Sequence, residues 1–167
     1  MENNCTDLSV FQENLEKAKK KNCPESIIKA AKDLIVYYQK KENISECIKH
    51  CKLVISYMIV QGKEVELAAN ICYLAKCYSL TEEYDEAENF YFQALAIYQD
   101  KNCDMEIAEV ESNLGLLFRH RGAFDVSLSH LTKAISIYEE NKEEMKKNNI
   151  SKHWNTYINA IECCGII

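Results

Sequence analysis

Apolar and aromatic residues recur along this chain in a register that repeats every forty positions. Leu34-Ile35 with Tyr38, Leu74-Ala75 with Tyr78, and Leu114-Gly115 with Phe118 superimpose, and the step from 35 to 75 to 115 is 40 residues each time. The register continues through Ile44, Tyr84 and Phe124, then Cys47, Ala87 and Ser127, then Cys51, Tyr91 and Leu131. Inside each module the apolar spacing is three or four, the mark of one helix face. Ala68, Ile71, Leu74, Ala75 and Tyr78 predict one helix, and Tyr84, Ala87, Tyr91, Ala94, Leu95 and Tyr98 a second. Between them Thr81 reads as the N-cap of the second helix, with acidic residues in its first turn. The third module repeats this pattern with Gly122 at the turn, and the first is looser around Leu34, Tyr38, Ile44, Cys47 and Cys51. A helix over residues 5–22 is predicted from Leu8, Phe11, Leu15 and Ala18, with Pro24 near the start of the next. A fixed period of this size predicts an all-α stack of helix pairs.

The order of small, large and aromatic residues resembles the tetratricopeptide repeat. Ala87 with Ala94, and Gly115 with Ala134, stand where that motif places small residues for close helix approach. The match is good over 68–138, fair over 28–67 and partial from 148 onward. The usual repeat is about 34 residues and closes its second helix near a proline. Here the corresponding positions are Ile59, Gln99 and Glu139, so the second helix is free to run on. Longer repeats of this kind are similar in style to those of kinesin light chains and Pins-type adaptors. The resemblance implies a right-handed superhelix of antiparallel helix pairs. It divides the chain into an N-terminal helix (1–27), three repeats (28–67, 68–107 and 108–147), and a partial fourth repeat or capping helix (148–167). That last segment has no polar capping helix, so the expectation is a fragment of a longer protein, or an end covered by a partner or second copy.

Composition narrows the functional classes. With one proline and four glycines in 167 residues, the chain suits long helices rather than a turn-rich β fold. No apolar run approaches the roughly 18–20 residues of a membrane span, and Met1-Glu2-Asn3-Asn4 is no secretory leader. A net charge of −6 argues against nucleic acid as partner. Nine cysteines raise disulfides and metal, but most replace small apolar residues on helix faces. Reduced structural thiols in a cytoplasmic protein are expected. Cys47, His50 and Cys51 could approach one another on a helix, yet a structural zinc wants a second ligand pair. They read as two core cysteines and a surface histidine, with no metal. No nucleophile elbow or phosphate loop is present, so neither catalysis nor a cofactor is expected.

By the same resemblance the first helices of successive repeats line a concave groove. One face of each contributes Lys29, Lys32, Asp33, Val36, Gln39 and Lys40, then Ala69, Cys72, Tyr73, Lys76, Ser79 and Leu80, then Glu109, Ser112, Asn113, Leu116, Arg119 and His120. A fourth helix would add Asn149, Lys152, His153, Thr156 and Asn159. The basic excess of this face on an acidic body predicts an acidic, extended peptide as ligand. The candidate groove residues are Lys29, Lys32, Val36, Tyr73, Lys76, Asn113, Leu116, Arg119 and His120. Asn113 is similar to the groove asparagine that bonds peptide backbone in related repeats, and Arg119 suits a bidentate carboxylate. The two-lysine, two-asparagine and arginine clamp of chaperone-tail receptors is not reproduced. Lys32 fits, but Val36, Tyr73, Glu109 and Asn113 fill the other four places. The function expected is a non-enzymatic scaffold or adaptor, with a structural subunit stacking through helix ends or its convex face as the alternative.

Overall fold

A computed structural model describes residues 3–143 and 151–165, with side chains from 8–143 and 155–165. Among these residues the chain is all-helical: α1 (Asn3–Lys20), α2 (Pro24–Lys40), α3 (Ile44–Met58) continued by a 3-10 turn (Ile59–Gln61), α4 (Glu64–Leu80), α5 (Tyr84–Asp100), α6 (Asp104–His120), α7 (Phe124–Glu140) and α8 (Ser151–Cys163). Helix starts at 24, 64 and 104, and at 44, 84 and 124, reproduce the forty-residue period. The first helix of each module begins four positions ahead of residues 28, 68 and 108. Two compact units divide the chain between Glu83 and Tyr84, inside the second module. In the first, α2 packs on α1 and α3, and α3 on α4; in the second, α6 packs on α5 and α7, and α8 on both α6 and α7.

Helix ends fall every twenty residues because the chain turns left-handed there. Positive φ occurs at Asn22, Glu42, Gly62, Glu82, Asn102 and Gly122. The next N–H reaches back five residues, from Asn43 to the Tyr38 carbonyl, from Cys103 to Tyr98 and from Ala123 to Phe118, satisfying carbonyls that a helix end leaves open. Asn43 then caps α3, its side chain accepting from the Glu46 N–H at 3.2 Å. Thr81 does not cap α5. Its hydroxyl donates to the Tyr78 carbonyl at 3.1 Å, because with Glu82 left-handed it belongs to the end of α4. Gln99 and Glu139 lie inside α5 and α7, whereas α3 tightens to a 3-10 turn at Ile59.

Small residues set the closest approach. A Cβ on Gly115 would stand 2.5 Å from Leu131 Cγ and 3.2 Å from the Ser127 carbonyl. Ser127 Oγ donates to the Gly115 carbonyl at 2.7 Å. The equivalent pair in the first unit is Cys47 Sγ donating to the Ile35 carbonyl at 3.7 Å. An aromatic–histidine stack also recurs: Tyr38 on His50 at 5.7 Å and 10°, and Phe118 on His130 at 5.3 Å and 8°. His50 is thus a core residue and not the surface histidine expected. Its burial holds its pKa below 6.5, outweighing the neighbouring Glu46.

One core position carries charge. Glu111 is 1% exposed at the register of Ala31 and Ile71. Its carboxylate meets His130 Nδ1 at 2.6 Å and accepts from Lys133 Nζ. Burial alone would raise its pKa, but the hydrogen bonds from His130 and Lys133 and their charges together hold it below the ordinary 4.5.

Three outcomes test this account of the fold. Glu42→Gly relieves a left-handed side chain (φ 56°) and should raise the melting temperature, by about 1 kcal/mol of stability in denaturant titration. Gly115→Val should cost about 2 kcal/mol or more, since neither Leu131 nor the Ser127 backbone can withdraw freely. Glu111→Gln should cost about 2 kcal/mol at pH 7. A depressed carboxyl pKa stabilises above its unfolded value and loses that contribution as pH falls through the folded one. The gap between wild type and Glu111→Gln, followed by calorimetry, should therefore narrow below pH 4.5.

Candidate functional site

In the first unit, one face of α2 opens onto a cleft of about 540 Å³. Residues three and four apart share that face, which is why Glu25, Ile28, Lys29, Lys32 and Asp33 line it together. Buried Ile28 and Met58 contribute apolar surface, while Gln61, Lys63 and Glu66 close the opposite side. Lys29 and Lys32 are thus brought to one site. The sequence reading missed Met58, Gln61, Lys63 and Glu66, which come from the end of α3, the 3-10 turn, and the N-cap and first turn of α4. Gly62 was their signal, since a left-handed glycine starts the following helix at once. The cleft lining holds three lysines and three carboxylates, and Lys63 Nζ lies 3.9 Å from Glu66 Oε1. The basic excess along the first helices is therefore balanced here.

Val36 and Lys76 are exposed and do not line this cleft. Tyr73 is half-buried on α4, with its hydroxyl near the thiols of Cys47 and Cys77. Burial and then the nearby thiols hold the Tyr73 pKa above its usual value. The facing Cys77 thiol, with burial, raises the Cys51 pKa, while Cys51, the Tyr73 hydroxyl and the charge of Lys76 lower that of Cys77 against its burial. Cys47, Cys51 and Cys77 are buried free thiols. Among the described residues no three His, Cys, Asp or Glu side chains are placed to hold a metal ion.

The other four candidates belong to the second unit. Asn113 and Leu116 are half-buried on α6; Arg119 and His120 are exposed at its end. Ser112, read as facing the groove, is buried instead, because the same turn of α6 carries Glu111 and Leu114 into the core. Arg119 Nη1 lies 3.1 Å from Cys163 Sγ. It borders a cleft of about 220 Å³ with Phe124, Ser127, Leu128, Leu131, Cys163 and Cys164. Two residues on, Arg121 is held by Glu88 and, at 3.0 Å, by Asp85. Asn149 lies outside the described residues, as do the side chains of Lys152 and His153. Thr156 is half-buried and Asn159 exposed. No helix among the described residues is long and apolar enough to cross a membrane.

The tetratricopeptide repeat family model matches residues 74–105. No curated protein sequence matches the chain. Among solved structures, BtubC (BKLC) of P. vanneervenii is similar at TM-score 0.74 and 19% identity, over 98% of this chain and 67% of that one. Two structures of nearly identical TPR-like repeats, from a putative kinesin light chain of Podosopora anserina, are similar at TM-scores 0.71 and 0.61. Both are 13% identical, the first over 94% of this chain and 76% of its own, the second over 99% and 90%. At these identities the likeness is one of fold. The resemblance read from the residues is supported by both comparisons: the chain carries a tetratricopeptide repeat match in its middle and has the all-α fold of TPR-like repeat proteins.

Proposed function

We propose that the chain is a non-enzymatic protein-interaction scaffold that holds an extended, acidic segment of a partner on the exposed faces of its first helices. The observation that carries this reading is the α2 cleft, where Lys29 and Lys32 stand beside apolar surface from Ile28 and Met58. Such a surface attracts a carboxylate while giving an adjoining side chain an apolar seat. Glu25, Asp33 and Glu66 on the same rim favour a segment with a basic residue among its acidic ones. An acidic protein with this cleft is a poor match for nucleic acid, and buried free thiols suit a reducing, cytoplasmic setting.

A second reading has its own support. Ile59, Val60 and Val65 are exposed around the α3–α4 turn, Val60 at 79%, an apolar helix end of the kind a fixed assembly partner covers. In that case the chain is a structural subunit.

Fluorescence anisotropy with labelled acidic and charge-reversed peptides, at low and high salt, decides between them. The scaffold reading expects the acidic peptide to bind more tightly, to weaken with salt, and to lose about tenfold in affinity to Lys29→Glu/Lys32→Glu. Equal, salt-insensitive binding of both peptides sinks it. A stable oligomer in light scattering without peptide capture establishes the subunit.

A further inference from the structure

The second cleft, away from the lysines of α2, combines two chemistries. Phe124 and Leu128 lie one turn apart on α7 and are 69% and 51% exposed, large apolar side chains left in water. With Leu131 and the end of α8 they enclose about 220 Å³. That is below the roughly 300–1,000 Å³ of small-molecule pockets, and it is the scale of a single bulky side chain. At its edge stands Arg119, which meets the Cys163 sulfur at 3.1 Å, and no carboxylate lies within ion-pair distance of it among the described residues. Arg121, so close in sequence, has two carboxylates.

The repeat frame sharpens the contrast. Phe124 and Leu128 occupy the register of Tyr84 and Glu88 one module earlier. There Glu88 is covered by Arg121, and both Tyr84 and Glu88 are half-buried. At the equivalent place on α7 the polar residue has become leucine, and the surface is open.

We infer that this cleft is a binding site for a partner peptide carrying a bulky apolar residue next to an Asp or Glu. The apolar side chain enters between Phe124 and Leu128, and the neighbouring carboxylate exchanges the weak thiol contact of Arg119 for a charge-assisted pair. The inference rests on the scaffold reading but names a different surface, so the two fail separately.

The test is selection of a phage-displayed random heptapeptide library on the full chain, followed by anisotropy with the enriched sequences. The variants are Arg119→Gln and Leu128→Ser, both at exposed positions, with melting curves by circular dichroism to establish that each is folded. The expected result is a consensus pairing Leu, Ile, Phe or Trp with Asp or Glu, whose affinity falls tenfold or more in each variant. A consensus lacking either feature overturns the inference. So does binding that both variants retain while Lys29→Glu/Lys32→Glu abolishes it, an outcome that leaves the scaffold reading intact. Failure to enrich any sequence overturns the inference, while the scaffold reading stands or falls on the acidic and charge-reversed peptides. Self-association of the native chain in sedimentation, abolished by Leu128→Ser, overturns it in favour of a second copy as the occupant.

Discussion

At Gly115 the backbone of α6 lies so near α7 that a methyl group would collide with Leu131, and a serine hydroxyl from α7 fits directly onto the Gly115 carbonyl. This approach fixes how the two helices of a hairpin are set against each other. The side chains that meet are therefore those at one register: Ser127 and Leu131 above Gly115, then His130 against Phe118. The first unit solves the same contact with larger parts. Ile35 replaces glycine and a cysteine replaces serine, and the longer S···O distance of 3.7 Å accommodates both. Cysteine here serves as a small polar core residue.

On this frame the core tolerates variation in chemistry while keeping position. The place of Glu111 is held by Ile71 and Ala31 in the other modules. The buried carboxylate survives because α7 brings His130 and Lys133 to it, and a buried ion is sustained only when its partners come from the facing element. The same logic applies to His50, whose nearest carboxylate, Glu46 at 3.5 Å, is on its own helix, and whose pKa burial holds down while it stacks on Tyr38. Equivalent positions thus differ in charge without differing in geometry.

Both clefts lie where the repeat is interrupted. The larger lies at the end of α3, where the 3-10 turn Ile59–Gln61 leads into α4 and Met58 faces the lysines of α2. The smaller lies where α8 ends against α6 and α7. Regular stacking buries apolar faces, and some of the exposed apolar residues lie near these openings: Ile59, Val60 and Val65 in one unit, Phe124 and Leu128 in the other. Such breaks give the chain surfaces suited to recognition.

The amino-acid sequence by itself determined the helices, their forty-residue spacing, the tetratricopeptide resemblance and the small residues at the close contacts. Each of these follows from local periodicity and side-chain volume. It also placed Lys29 and Lys32 on one face. It misjudged Thr81, His50 and Ser112, because whether a residue ends one helix or starts the next, or faces core or solvent, depends on turn geometry and on what the neighbouring helix presents. Tyr73 illustrates the limit: its spacing marked it for the groove, but its hydroxyl lies near thiols contributed by α3 and α4. Only the tertiary structure decided which charges are paired, which thiols touch and where the clefts open. Those properties belong to contacts between residues far apart along the chain, and a helical period constrains only residues that are near.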